Sequence, residues 1–356
     1  MHTYANSAAA ALVSVKTIPR TAVTSMDVAS LAGVSQSAVS RTFTAGASVG
    51  EATRRKVLAA AGQLGYAPNA HARSLITGRS RIIGLVVSNL DNLFYPAVLQ
   101  KLSQRLQTDG YHVLLFVSEH EDGDDLVREL LQYRVDGIVL GATTLSSALA
   151  RRCAETNIPV VLFNRVMADA TPVHSVRSDN HLGGRTLARL LVEQGHQRIA
   201  YLAGREDSST NLEREQGFLE GLAQAGQTLY ARGVGDYDMA RAREATVQMF
   251  ADPRRRPDAV CAASDQMAIA VIDALRYELH LNVPDDVSVV GFDNVPQAQW
   301  PAYQLTTYEQ PVEPMVESTV GLLKVQMQSG EVFQSRNIVV SGRICMRSST
   351  APRQAP

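Results

Sequence analysis

Apolar residues in the first part of the chain recur at helical spacing, and they predict a small domain of three helices. Residues 27–32 are predicted to form a short helix with one small apolar face, Gly33 permits a turn, and Ser35 is placed to cap a second helix. A third helix is predicted over residues 51–64. The pattern is typical of a helix-turn-helix, although an ordinary helical hairpin shows the same spacing.

From Ile82 onward, short apolar runs alternate with amphipathic helices. A first series runs to about residue 163 and contains the strands IIGLVVSN, HVLLFVS, GIVLGA and VVLFN. A second series begins after Asp179 and contains the strands RIAYLAG, AVCAAS and SVVGFD. Because helices that alternate with strands cover both faces of a parallel sheet, the predicted class is α/β, with two such units facing each other. On this pattern alone a doubly wound enzyme stays an alternative, since such folds serve unrelated functions.

The second predicted helix keeps polar side chains that are free to reach a DNA duplex. Gln36 and Ser37 at its start are candidates for contacts with base edges, and Arg41 for guanine or a phosphate. A helix that reads the major groove needs such side chains. The predicted major-groove residues are Gln36, Ser37, Ser40 and Arg41.

Charge is unevenly distributed along the chain. The first 80 residues hold eight Lys or Arg and two Asp or Glu, whereas the net charge of all 356 residues is −1, which leaves −7 for the remainder. A basic head on an acidic body favours a nucleic-acid-binding face, with a chance fluctuation as the alternative. The three cysteines are widely spaced and suggest neither a disulfide framework nor a metal site, so we expect the protein to be located in a reducing cytoplasm. No apolar run reaches the length of a membrane span.

Two motifs follow each other in a characteristic order. The block DVASLAGVSQSAVSR at residues 27–41 is followed by GYAPNAHARSL at residues 65–75. In this order the chain resembles the lactose-repressor (LacI/GalR) family of bacterial transcription regulators, and the resemblance continues to about Arg347. It implies a repressor that binds an inverted-repeat operator as a homodimer. It also implies that a small polar metabolite, such as a sugar or sugar acid, sets operator affinity. From the lack of ligand patterns in the sequence we expect no cofactor and no metal.

The resemblance also implies a domain organisation, with a helix-turn-helix head and a body like the periplasmic binding proteins. Strands cross between the two lobes of the body near residues 176–179, 305–309 and 332–337. We expect a flexible leader at 1–22, for which a misassigned start codon is an alternative. The other expected segments are the head at 23–67, a hinge helix and linker at 68–80, the body at 81–347 and a disordered tail at 348–356, with lobe 1 at about 81–176 and 309–331 and lobe 2 at about 177–306 and 335–347.

A second DNA-binding element is implied by the resemblance at residues 69–77. Relatives form a hinge helix there when they bind the operator, and Leu75 matches the leucine that they insert between base pairs in the minor groove. Ala72 permits close helix pairing across a dimer. An amphipathic linker is the alternative. The predicted phosphate or hinge contacts are Thr24, Thr42, Asn69, Ala72 and Arg73.

Effector contacts are implied at strand ends and on neighbouring segments. Arg214 matches an arginine that relatives use on effector hydroxyls or carboxylate, and Asp293 matches their acidic acceptor. Asn164 and Arg165 stand where an aspartate is common, which favours an anionic or acid-bearing sugar derivative. Core packing is the alternative for the aromatic residues, and a helix cap for Asp265. The predicted effector residues are Phe94, Tyr95, Asn164, Arg165, Arg214, Tyr237, Ser264, Asp265 and Asp293.

Two other classes of protein fit parts of this pattern. An extracytoplasmic sugar-binding protein has the same two-lobed body, but it carries an export signal and no DNA-binding head. An enzyme needs a convergent acid, base or nucleophile. The glycine-rich turns lack phosphate-binding spacing and the histidines form no ligand pattern, so we expect no enzymatic activity.

Overall fold

The computed structural model describes residues 23–44, 46–67, 78–88, 90–118, 123–143, 145–167, 173–328 and 334–353. The chain divides into two compact units, Met1–Gly78 and Arg79–Pro356. Within the described ranges no helix has the length and apolar character that a membrane crossing requires. Both units have the predicted fold class, an all-helical head and an α/β body.

The head consists of helices α1 (Ser25–Ala32), α2 (Gln36–Thr42) and α3 (Glu51–Leu64). Thr24 caps α1 in a capping box with Asp27, and Ser35 caps α2 by accepting from the amide of Ala38. Gly33 adopts φ +63°, which lets the chain turn sharply between the two helices. The core of the head contains Val28, Ala29, Val39, Val57, Ala60 and Ala61.

The first lobe of the body contains the elements β1 (Ile82–Ser88), α4 (Phe94–Thr108), β2 (His112–Ser118), α5 (Asp124–Gln132), β3 (Gly137–Gly141), α6 (Ser147–Glu155), β4 (Val160–Phe163), β5 (His174–Ser178), α11 (Val312–Gln328) and β11 (Asn337–Val340). Its strands form a parallel sheet with the order β11, β5, β4, β3, β1, β2. Alternate residues of β1 point to opposite faces, so Val86 packs in one apolar cluster while Ile83 and Leu85 pack in the other.

The second lobe contains the elements α7 (Asn180–Glu193), β6 (Ile199–Ala203), α8 (Ser209–Gln224), β7 (Ala231–Val234), α9 (Met239–Met249), β8 (Ala259–Ala262), α10 (Asp265–Asp273), β9 (Ser288–Asp293), β10 (Thr306–Glu309) and β12 (Ile344–Cys345). Its strands form a sheet with the order β12, β10, β9, β8, β6, β7, in which β12 pairs antiparallel with β10 and the other pairs are parallel. A π-helical turn at Ala274–Glu278 extends α10.

Three segments join the lobes, and the third differs from the prediction. The first two crossings follow β5 and β10, close to the predicted positions. The predicted third crossing at residues 332–337 is wrong, because β11 pairs with β5 in the first sheet and the chain crosses only at residues 341–343. Residues 337–340 therefore belong to lobe 1 and not to lobe 2. Their apolar side chains gave no indication of which sheet they join.

The predicted disorder after residue 347 is also wrong for the described part of that segment. Ser349 is buried, and its hydroxyl accepts from the amide of Thr306 at 2.8 Å and donates to the carbonyl of Val289 at 2.6 Å. The amide of Arg353 donates to the carbonyl of Gln194 at 2.7 Å. The polar residues that suggested disorder are used to bind the edge of the second lobe.

Helices α7 and α8 approach each other unusually closely. A Cβ atom on Gly184 would lie 2.0 Å from the carbonyl oxygen of Arg214, and one on Gly217 would lie 2.0 Å from that of His181. Only glycine permits this approach, since a methyl group needs more than 3 Å. The contact fixes the part of α8 that carries Arg214.

Candidate functional site

Helix α2 presents the predicted polar surface of the head. Gln36, Ser37, Ser40 and Arg41 are all exposed. The Gln36 amide Nε2 donates to the Ser25 hydroxyl at 2.9 Å, and Arg41 Nε lies 3.4 Å from the carbonyl of Ser37. The buried side of α2, formed by Ala38 and Val39, holds this surface outward. Its side chains can donate to and accept from base edges or phosphates.

Thr42 does not belong to that surface, contrary to the prediction. It is buried, and its hydroxyl donates to the carbonyl of Ala38 at 2.8 Å. Thr24 stays exposed, but its hydroxyl accepts from the Asp27 amide and donates to the Asp27 carboxylate in the capping box. The predicted hinge residues Asn69, Ala72, Arg73 and Leu75 lie outside the described residues.

A cavity of about 570 Å³ lies between the two lobes of the body, where the carboxyl ends of the parallel strands meet. Its volume is within the range of small-molecule sites. Both lobes contribute polar groups within two residues of a strand end, including Asn164 from the first lobe and Ser264 from the second. The predicted effector residues that line it are Phe94, Tyr95, Asn164, Arg165, Arg214, Tyr237, Ser264 and Asp293.

Arg214 is held in the wall of the cavity by several partners. Its Nε donates to the side-chain oxygen of Asn180 at 3.0 Å, and its Nη1 donates to the carbonyl of Ala263 at 2.5 Å. The same Nη1 lies 3.5 Å from Asp293 Oδ1. The side chain is only 4% exposed. A guanidinium fixed in this way is oriented for a polar ligand before the ligand arrives.

Asp293 at the end of β9 and Asp265 at the start of α10 are both buried carboxylates. Asp293 accepts from Gln310 Nε2 at 2.6 Å. Burial raises the pKa of both carboxyl groups above the ordinary value, and in Asp265 the charge of Asp293 adds to the effect. Asp265 does not line the cavity, contrary to the prediction, because it accepts from Thr307 at 2.5 Å and from the Val295 amide at 2.9 Å inside the lobe.

Arg165 reaches across the cleft to the second lobe. Its Nη1 donates to the carbonyl of Asn164 at 3.1 Å and to the hydroxyl of Thr210 at 3.0 Å. The Thr210 hydroxyl also lies 3.4 Å from that of Tyr237. Asn164 Oδ1 is buried and has no hydrogen-bond partner among the described residues. An unsatisfied buried acceptor beside a polar cavity suits a ligand that donates a hydrogen bond.

The aromatic side chains combine packing with access to the cavity. Phe94 and Tyr95 pack edge to face with their ring centroids 5.4 Å apart. Tyr237 lies so close to Gly204 that a Cβ atom there would be 2.2 Å from the ring. All three side chains are buried, yet all three line the cavity. Core packing and a contact with ligand are therefore compatible at these positions.

Known protein families match both the helical head and the α/β body of the chain. Residues 24–69 match the family model for bacterial regulatory proteins of the lacI family, and residues 188–350 match the model for a periplasmic binding protein-like domain. The chain is 33% identical over 303 residues to the HTH-type transcriptional repressor PurR of Photobacterium profundum, which covers 83% of this chain and 90% of that protein. The chain belongs to the lacI family.

Two solved structures of transcription regulators are similar to this chain over most of its length. The Lac repressor dimer bound to operator and the anti-inducer ONPF has a TM-score of 0.82 and 30% identity, covering 93% of this chain and 99% of that one. A complex of the transcriptional regulator CelR with cellobiose has a TM-score of 0.67 and 30% identity, covering 92% and 99%. The prediction of a DNA-binding transcription regulator, and not an enzyme, is thereby confirmed.

In this LacI-family chain the cavity also contains residues that the sequence reasoning missed. Ser88 and Ser118 end strands β1 and β2, which is the same signal that identified Asn164 and Asp293. Thr210 had no such signal, because it lies in the first turn of α8. The other missed lining residues are Leu90, Asp91, Asn92, Val117, Ala142, Arg205, Asp236 and Gln310.

Proposed function

We propose that this chain represses transcription by binding an inverted-repeat operator as a homodimer, and that a small polar metabolite in the cavity between the lobes changes its operator affinity. One observation carries the proposal: a single chain of the lacI family combines a capped helix with four exposed polar side chains and a polar cavity between the lobes. Two heads related by a dimer axis match two half-sites of DNA. We place the protein in the cytoplasm, at the nucleoid.

The proposed DNA-binding part comprises the head at residues 23–67 and the hinge at residues 68–80. Gln36, Ser37, Ser40 and Arg41 are its proposed major-groove contacts. Thr24, Asn69 and Arg73 are proposed to contact phosphate or to form the hinge, with Ala72 in the hinge pairing and Leu75 as the minor-groove wedge. The hinge assignments rest on the motif GYAPNAHARSL and on the family match, which extends to residue 69.

The proposed effector is a sugar or a sugar derivative. Asp293, Asn164 Oδ1 and the Thr210 hydroxyl supply acceptors for its hydroxyl groups. Arg165 and Arg214 are both buried in the wall of the cavity, and their guanidinium groups favour a derivative that bears an acid group. The relative CelR was solved with cellobiose, so neutral sugars belong in the same test.

In vitro selection of random duplex DNA by the full-length protein tests the DNA-binding half of the proposal. The expected result is an enriched inverted repeat, selected at recorded salt because phosphate contacts dominate affinity. Recovery of unpatterned DNA, both alone and with added sugars, contradicts it. Thermal shift with glucose, cellobiose, gluconate and glucuronate then identifies a ligand class. A ligand that raises the melting temperature must also change the affinity for the selected duplex.

A further inference from the structure

An ion pair joins the two lobes beside the first crossing. Arg177 lies in β5 of the first lobe and Glu213 in α8 of the second. Arg177 Nη1 lies 2.6 Å from Glu213 Oε2, and each side chain is 24% exposed. A pair at this depth is screened by solvent less than an exposed pair. The lobes are thus held together by a charge-assisted bond outside the cavity, since neither residue lines it.

The amide of Asn180 connects this ion pair to Arg214. Its Nδ2 donates to Glu213 Oε2 at 3.0 Å, and its Oδ1 accepts from Arg214 Nε at 3.0 Å. Asn180 is completely buried, so its amide has no solvent to replace either partner. The nitrogen and the oxygen of the planar Asn180 amide are therefore both engaged in hydrogen bonds. A displacement of the Glu213 carboxylate on its fixed helix therefore requires the Asn180 amide to give up or reorient its bond to Arg214.

Close packing makes Glu213 move with the second lobe. The glycine contacts between α7 and α8 leave no room for α8 to shift within that lobe. Arg177 belongs to the first sheet through the pairing of β5 with β4 and β11. A change in the distance between Arg177 and Glu213 is therefore a change between the lobes.

We infer that Arg177 and Glu213 form a clasp that holds the lobes at one spacing and, through Asn180, positions Arg214 for the effector. The positioning of the effector contact rests on the proposed function, whereas the clasp itself does not. Arg177 and Glu213 are positioning residues, because they touch each other and Asn180 but do not line the cavity.

Pulsed electron paramagnetic resonance between the lobes tests the clasp without DNA or effector. Spin labels at Asp125→Cys on α5 and Ala240→Cys on α9 replace exposed residues near helix starts, which lie on the cleft side of each sheet. The background carries Cys153→Ala, Cys261→Ala and Cys345→Ser. Labelled protein is diluted with unlabelled protein so that distances within one chain dominate. The test variants are Arg177→Met and Glu213→Gln.

Glu215→Gln is the matched control, because Glu215 lies on the same helix and pairs with Arg232 of the same lobe at 2.6 Å. We expect Arg177→Met and Glu213→Gln to add a population at longer distance, while Glu215→Gln and the charge-preserving Arg177→Lys keep the wild-type distribution. Test variants that superimpose on the wild type overturn the clasp.

A second measurement addresses the positioning of Arg214. For whichever of glucose, cellobiose, gluconate and glucuronate binds the wild type, we expect Glu213→Gln to raise its Kd at least about fivefold and Glu215→Gln to leave it unchanged. Equal Kd values for Glu213→Gln and the wild type overturn the positioning role. If none of the four sugars binds, the proposed effector class fails, while the distance measurement still decides whether the clasp exists.

Discussion

The guanidinium carbon of Arg214 lies 3.8 Å from the centroid of the Phe292 ring. Phe292 in turn packs against Tyr308, with ring centroids 5.0 Å apart. The Tyr308 hydroxyl accepts from the amide of Gly342, which lies in the third crossing. Arg214 is thus in contact with a pair of packed aromatic rings, the second of which binds a connection between the lobes, and its position depends on more than its polar partners.

Arg214→Ala should abolish the effector response while leaving operator affinity without effector nearly intact. The change removes the donors at the cavity and leaves Asp293 without its cationic partner, so we also expect a stability loss of about 3 kcal/mol. Arg214→Lys keeps the charge but lacks the planar group whose two separate nitrogens reach Asn180 and Ala263, and it should weaken effector binding less. Calorimetric titration with the identified ligand measures both, and an unchanged Kd in Arg214→Ala removes Arg214 from the site.

Gly217→Ala should destabilise the second lobe and disturb effector binding at a distance. The added methyl group meets the carbonyl of His181, so α7 and α8 must separate, at a cost of about 1–3 kcal/mol. Gly321→Ala on α11 is the control, since nothing lies within 4 Å of its Cβ position and a helical alanine is favoured by up to about 1 kcal/mol. Thermal unfolding should shift in opposite directions for the two variants. A shift of the same sign contradicts the close-packing argument.

Asp265→Asn should flatten the dependence of stability on pH. A raised carboxyl pKa means that the folded protein keeps a proton that the unfolded chain loses, so stability falls as pH rises from about 4 to about 7. The steepest slope for one group is about 1.4 kcal/mol per pH unit. Asparagine fits the site, because its oxygen can accept from Val295 while its NH₂ donates to the Thr307 hydroxyl. Parallel melting curves for wild type and variant across this range would contradict the prediction.

Gln36→Ala should relax sequence discrimination at one base pair. Loss of a bidentate side chain costs about 1–3 kcal/mol of discrimination, and binding to non-specific DNA should not change. Thr42→Val is the control for the corrected residue, since the Thr42 hydroxyl is used within α2 and valine has the same shape. Affinities for the selected operator and its single-base variants measure both. Thr42→Val should retain wild-type operator affinity. A loss of affinity equal to that of Gln36→Ala would instead show that Thr42 contacts DNA.

The parts of the fold that depend on local chemistry could be predicted from the sequence. Helix α3 has the predicted bounds because Gly65 ends it in a left-handed conformation. Strand β7 was missed, since it lies at the edge of its sheet and its partly exposed residues form no apolar run. Strand β11 was assigned to the wrong lobe, because its partner β5 lies more than 150 residues earlier.

The candidate site was likewise predicted in part, and its errors are at residues whose direction is set by a helix. The rule that polar residues after parallel strands meet at one edge correctly placed Asn164, Ser264 and Asp293 at the cavity. It failed at Asp265, since one further residue along a helix turns the side chain by about 100° and away from the cavity. The prediction for Thr42 was wrong for a related reason, because its side chain lies on the buried side of α2.

Both sheets of the body are completed by residues near the end of the chain. Strand β11 closes the first sheet, and β12 with Ser349 closes the second. The ribosome adds about 5–20 residues per second and N-terminal domains fold first. A growing chain therefore carries a finished DNA-binding head for many seconds before either lobe has its last strand. During translation the head exists without the domain that regulates it, and neither lobe can be expressed as a single continuous fragment.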